Sequence, residues 1–252
     1  MFARAYATLH SDTTLTVTTL DLLAEAERRG WLSVAQVSAK LALVAKWNVG
    51  IPVKMRYFLA AIPASVEGMT NLEELITRLD SDEAFGELVK AVWNFRQNYM
   101  QIFKHMAAII AYVAQNDRAA VELLAAIWAV WLGKVQLRTD IPGPRSMHLA
   151  RSFIHASAMA QEDAMAVKRL WDAYILLIAR IHGKLMDSQR EREAREVVGK
   201  CAAQIVYRNE VENLGDKIFQ VLSSGLTNGT SEYDSFCKGY QSERIRLLSQ
   251  KQ

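Results

Sequence analysis

Asp21 is the residue whose type and position most clearly suit chemistry, because it follows a short run of β-branched residues. Residues Thr13 to Thr19 are rich in threonine and valine, a composition typical of a β-strand. Carboxylate oxygens are the kind of ligand that hard divalent cations prefer. The same carboxylate could instead stabilise the start of a helix, where the helix dipole favours negative charge. The sequence leaves both interpretations open.

Two helices are predicted to follow this strand and to fix the position of the aspartate. The first covers Leu20 to Arg29, and Gly30 suits its C-terminal cap. Ser33 and Gln36 have the spacing of a capping box, which predicts that a second helix begins there. That helix carries apolar residues three, four and seven positions apart. Residues 1–62 are therefore expected to form one helix–strand–helix–helix segment.

This order of elements, with Thr19 and Asp21 after the strand, resembles the C-terminal part of a PIN-like nuclease domain. In that family a late strand ends in a Thr-x-Asp motif, and two helices follow. The resemblance covers about residues 2–60, including a predicted helix over residues 2–10. It implies that Asp21 is a catalytic residue and a Mg²⁺ or Mn²⁺ ligand of a ribonuclease, whose metal activates water for phosphodiester attack.

The acidic residues that the PIN-like family places earlier in its domain have no counterpart here. One ends the first strand of the domain and another lies on a helix, and the matching part of this chain starts within a few residues of Met1. The resemblance therefore implies a site completed by another chain or by a preceding region. At the level of fold, such a ribonuclease would suit a toxin or a defence protein.

Four cationic residues lie close to Asp21 in the sequence: Lys40, Lys46, Lys54 and Arg56. Lysine and arginine side chains contact phosphates and so position nucleic acids. If RNA approached this part of the chain, we expect these four residues to bind its backbone. An ordinary solvated surface is the alternative. The formal net charge of +3 permits a nucleic acid or an acidic partner without requiring either.

Arg151 and His155 are a second pair that could act on RNA, since residues four apart share one face of a helix. They resemble the Arg-x4-6-His element of HEPN ribonucleases, although three residues intervene here. That resemblance implies an all-helical ribonuclease with Arg151 and His155 in its site. The alternative is a polar contact or an exposed pair with no catalytic role.

The rest of the chain predicts helices joined by short loops. Long stretches without proline carry apolar residues at helical spacing, which favours antiparallel packed helices. Residues 63–252 are expected to form a helical domain, subdivided near residues 139–144, where two prolines and a glycine predict a loop. A single strand has no partner within the chain, so it would pair with another chain or be irregular. The predicted fold is mainly α, a multi-helix bundle or helical array with at most one short N-terminal strand.

Composition indicates a globular, cytoplasmic protein. The apolar fraction is 51% and the charged fraction is 23%, which are ordinary values for a folded domain. Its two cysteines lack the spacing of a metal site and indicate reduced thiols. Asp117, Arg118 and Glu122 interrupt the most apolar stretch, Met106 to Leu137, so we expect no membrane partner.

The leading functional hypothesis is a helical protein-interaction or regulatory module that is not catalytic on its own. It implies a protein partner or self-association, and no cofactor. The PIN-type ribonuclease is the alternative, with RNA as its partner and Mg²⁺ or Mn²⁺ as its cofactor. The HEPN-type ribonuclease ranks third.

Overall fold

The computed structural model describes residues 18–47, 51, 53–95, 99–116, 120–135, 145–183, 187–208, 215 and 217–250. Within these ranges the chain forms twelve α-helices and one short 3₁₀ helix, Ala64–Val66. The α-helices are α1 (Thr19–Arg28), α2 (Val34–Ala45), α3 (Met55–Ala60), α4 (Leu72–Ser81), α5 (Glu83–Phe95), α6 (Tyr99–Ala114), α7 (Val121–Val135), α8 (Arg145–Met159), α9 (Ala164–His182), α10 (Ser188–Arg208), α11 (Lys217–Ser224) and α12 (Ser231–Ser249). The predicted mainly α fold is confirmed for this part of the chain.

The C-terminal end of the predicted strand is helical in the structure. Thr19 is the first residue of α1, and Thr18 is its N-cap with an extended backbone. The prediction that the strand reaches Thr19 is therefore wrong, because the Thr18 side chain caps the helix and ends the extended segment. Residues 13–17, the helix predicted over 2–10 and the loop near 139–144 lie outside the described residues.

One apolar core runs through the described chain, from Leu23 in α1 to Tyr240 in α12. Its centre is made by α6, α7, α8 and α9, which pack on one another. Trp128 of α7 is fully buried and donates a hydrogen bond from its indole N–H to Ser152 Oγ of α8, at 2.8 Å. The Ser152 hydroxyl donates in turn to the Leu149 carbonyl at 2.9 Å, so the buried polar atoms of this contact are paired.

The N-terminal helices are held to this core through α2, which packs on α3 and α5. Ser38 of α2 is buried and donates from its hydroxyl to the Tyr57 carbonyl of α3, at 2.7 Å. The Tyr57 hydroxyl donates to Glu27 of α1. These bonds link the first three helices. The division of the chain at residues 62 and 63 stays a prediction.

The C-terminal end of the fold is a closely packed pair of helices, α10 and α12. Between them Gln204 of α10 donates to the Glu243 carboxylate of α12 at 2.7 Å. Arg246, also on α12, donates to the same carboxylate at 2.6 Å. The Arg246 guanidinium holds the pKa of Glu243 down to about 2. No helix among the described residues has both the length and the apolar character needed to cross a membrane.

Candidate functional site

Asp21 lies in the first turn of α1 and forms a capping box with Thr18. Its carboxylate accepts hydrogen bonds from the Thr18 N–H at 2.9 Å and from the Thr18 hydroxyl at 2.6 Å. The Asp21 N–H donates back to Thr18 Oγ1 at 3.2 Å. Sequence reasoning paired Asp21 with Thr19 and missed this box, although the Thr-x-x-Asp spacing was its signal.

The capping geometry gives Asp21 a task in folding, and its role as a catalytic metal ligand stays a prediction. Within the described ranges, no group of three or more His, Cys, Asp or Glu residues is arranged to hold a metal ion.

Asp21→Asn separates the two roles, because asparagine keeps an oxygen acceptor for Thr18 and loses the charge that a metal needs. If Asp21 is a cap, we expect the free energy of unfolding to change by about 0.5 kcal/mol or less, against a loss of about 1 kcal/mol in Thr18→Ala. Urea denaturation measures both. The contrary result would be a Mn²⁺-dependent ribonuclease activity that is lost in Asp21→Asn but kept in Thr18→Ala. That result would make Asp21 a metal ligand.

The four cations near Asp21 fall into two groups in the structure. Lys46 forms an ion pair with Glu83 of α5 at 2.5 Å, and Arg56 forms one with Glu27 of α1 at 2.8 Å. These two side chains link helices to one another. Lys40 and Lys54 are exposed and have no ion pair with any described residue. RNA binding by the four residues stays a prediction. Two of them, Lys46 and Arg56, already form ion pairs within the protein.

Arg151 and His155 both lie on α8, as predicted, but the imidazole is buried in the core, only 3% exposed. Burial, together with smaller contributions from the nearby positive charges of Lys104 and Arg151, lowers the pKa of His155 to about 4. The imidazole is therefore neutral near pH 7. A buried ring lies out of reach of a substrate as large as RNA, so the geometry does not favour the HEPN-type hypothesis, which stays untested by any activity.

An exposed apolar stripe lies on α2. It consists of Ala35, Ala39, Leu43 and Trp47, four residues apart in sequence, and we name it the α2 ridge. Leu43 is 58% exposed, and Trp47, just past the helix, is 77% exposed. The opposite side of α2 is buried in the core. This helix therefore has one apolar face packed inside the protein and a second one in water.

Lys40 places a positive charge beside the α2 ridge. The helix contains no acidic residue, and Lys40 follows Ala39 on its exposed side. Trp31, in the turn before α2, is also exposed at 67%, and the Arg29 guanidinium lies 4.9 Å from the centre of its ring. Sequence reasoning identified one set of apolar residues on this helix, at spacings of three, four and seven, and missed the ridge. A second apolar stripe on the same helix was the available signal.

Comparisons of the chain with known protein families, with curated proteins and with solved structures find no match. Function is therefore inferred from the geometry of this chain.

Proposed function

We propose that this protein is a helical interaction module that docks an acidic amphipathic helix of a partner protein on the α2 ridge. The observation that carries the proposal is the exposure of Leu43 and Trp47 at 58% and 77% on a helix whose other face is buried. Contiguous exposed apolar side chains are characteristic of interaction sites, and tryptophan is the residue most enriched at interface hot spots.

The spacing of the α2 ridge favours a helix as the occupant. Side chains four residues apart form the ridges that fit into the groove of a second helix. From Ala35 to Trp47 the ridge spans about 18 Å, which is roughly three turns of a helix. Ala35 and Ala39 are small enough for close approach at one end. Leu43 and Trp47 supply the large anchors at the other.

Charge favours an acidic partner over a second copy of this chain. Lys40, beside the ridge, has no ion pair with a described residue, so a partner carboxylate could pair with it. Complementary charges at the rim of an interface raise the association rate and select the partner. Two copies packed ridge to ridge would bring like charges together, because α2 contains no acidic residue.

The cysteines are consistent with the predicted cytoplasmic location, which remains part of the proposal. Cys201 and Cys237 are both half-buried, and neither forms a disulfide with a described residue. Free thiols persist in reducing compartments.

A synthetic amphipathic helix tests the proposal without a known partner. The probe is a peptide of about 20 residues with leucines on one face and glutamates beside them, titrated by calorimetry. We expect Leu43→Ser and Trp47→Ser each to weaken binding at least tenfold, about 1.4 kcal/mol, because each removes an anchor. Leu248→Ser is the matched control, since Leu248 is also exposed but lies on α12.

Three outcomes would contradict the proposal. The first is equal binding by the two ridge variants and by the wild type. The second is equal binding of a peptide whose glutamates are replaced by lysines. The third is that the wild type is a dimer by light scattering and Leu43→Ser is a monomer. That result would show that a second copy of the chain occupies the ridge.

A further inference from the structure

A cleft of about 340 Å³ lies between α9 and α10 and shares no residue with the α2 ridge. This volume falls in the range of small-molecule sites, about 300–1,000 Å³. The cleft exists because the two helices have other main partners: α9 packs on α7 and α8, whereas α10 packs on α12. The facing surfaces of α9 and α10 are thus left partly uncovered.

Helical periodicity explains which side chains line the cleft. Tyr174, Ile178 and His182 are four residues apart and share one face of α9. On α10, the lining residues Arg190, Glu193, Ala194 and Val197 follow the spacing of three, four and seven that also defines one face.

The floor of the cleft is apolar. Tyr174 is fully buried, and its hydroxyl donates to the Ala194 carbonyl at 3.3 Å, so the polar group of this ring is used within the protein. Ile178 and Val197 add aliphatic surface. Val197 is 38% exposed, so part of its side chain is in contact with water and available to an apolar ligand group.

The rim of the cleft is polar and carries both signs of charge. Arg190 lies 3.5 Å from the Asp187 carboxylate, and Glu193 accepts a hydrogen bond from Gln189 at 2.8 Å. A guanidinium has five N–H donors and a carboxylate about four acceptor positions, so both groups can also bind a ligand. His182 completes this part of the rim.

Ser146 adds a fourth polar group from a third helix. It lies in the first turn of α8, where the positive end of the helix dipole favours an anionic group. An apolar floor is therefore bordered by hydrogen-bond donors, which belong to Ser146, His182 and Arg190. The Glu193 carboxylate lies on the same border.

We propose that this cleft binds a small zwitterion with an apolar side chain, the chemical class of the free aliphatic amino acids. The ligand carboxylate would meet Arg190, His182 and Ser146, and its ammonium would meet Glu193. Its side chain would lie on Ile178 and Val197. The lining has a group of each sign, Arg190 and Glu193, and this suits a ligand that carries both charges better than a phosphate or a simple amine.

Free L-leucine and three analogues test the ligand class by NMR titration of the full chain. Isopentylamine lacks the carboxylate, 4-methylpentanoate lacks the ammonium, and glycine lacks the apolar side chain. We expect leucine to shift the resonances of the cleft residues saturably, and each analogue to bind at least about tenfold more weakly. Failure of leucine to saturate, or equal binding by any analogue, would overturn the proposal.

Variants of α10 test the location of the site. Arg190→Gln and Glu193→Gln each remove one proposed charged contact and are expected to weaken leucine binding at least about tenfold. Arg192→Gln is the control, because Arg192 is exposed on the same helix and does not line the cleft. Unchanged binding in the first two variants, or an equal loss in the control, would place the ligand elsewhere. Circular dichroism checks that each variant stays folded.

Discussion

Replacing Gly239 by alanine is expected to disrupt the α10–α12 pair and to lower the free energy of unfolding by at least about 3 kcal/mol. A Cβ at this position would lie 2.2 Å from the Glu196 carbonyl oxygen and 2.7 Å from the Glu196 Cα. Both are backbone atoms, so no change of rotamer can relieve the overlap. The helices would have to separate, and the contacts along their whole length would weaken.

Gly199→Ala, on α10, is expected to lower the free energy of unfolding by a similar amount. Its Cβ would lie 2.3 Å from the Phe236 carbonyl oxygen and 2.6 Å from the Tyr240 nitrogen. Two glycines on opposite helices thus permit the same close crossing. The bond from Gln204 of α10 to Glu243 of α12 crosses the same pair and depends on this spacing.

Gly133→Ala in α7 is the matched control, and we expect the opposite sign. Apart from the neighbouring backbone of α7 itself, no atom of the described chain lies within 4 Å of the position that a Cβ would take there. Alanine forms helix better than glycine by about 1 kcal/mol, so the variant should be stabilised by about 0.5–1 kcal/mol. Urea denaturation followed by circular dichroism measures all three variants. A Gly239→Ala protein with an unchanged denaturation midpoint would show that the helices do not cross this closely.

The sequence predicted helix ends well where residues close to each other in the chain form the cap. Ser33 and Gln36 form the predicted capping box at the start of α2. Gly30, predicted as the C-cap of α1, follows the C-cap residue Arg29 and has a φ of 72°. The start of α1 was placed wrongly, because a run of threonines and valines favours a strand when the cap at Thr18 is overlooked.

The candidate sites could not be predicted from the periodicity of the sequence, because they depend on how distant parts of the chain pack together. α2 has apolar residues on both sides, and the spacing alone does not say which side meets the core. The glycine crossing joins residues 199 and 239, far apart in sequence, so only the packed structure reveals it. The cleft likewise combines side chains from α8, α9 and α10. In each case tertiary packing decides what surrounds a residue, and the residue type alone does not show it.

Trp171→Ala is expected to lower the free energy of unfolding by about 3–5 kcal/mol, which is a third or more of the stability of many domains. Trp171 lies on α9, and its ring centre is 4.4 Å from that of Phe153 on α8 and 6.0 Å from that of Phe236 on α12. Its indole N–H donates to the Leu222 carbonyl of α11 at 3.0 Å. One buried side chain therefore joins four helices, and alanine would leave a cavity among them.

Trp171→Phe separates the ring contacts from the hydrogen bond. Phenylalanine keeps an aromatic ring against Phe153 and Phe236 but leaves the buried Leu222 carbonyl without this donor, so we expect a smaller loss of about 1–3 kcal/mol. Trp31→Ala is the control, because an exposed tryptophan should change stability by about 0.5 kcal/mol or less. The predicted order of loss is Trp171→Ala, then Trp171→Phe, then Trp31→Ala. An equal effect of the first and the last would mean that Trp171 does not hold α11 and α12 to the core.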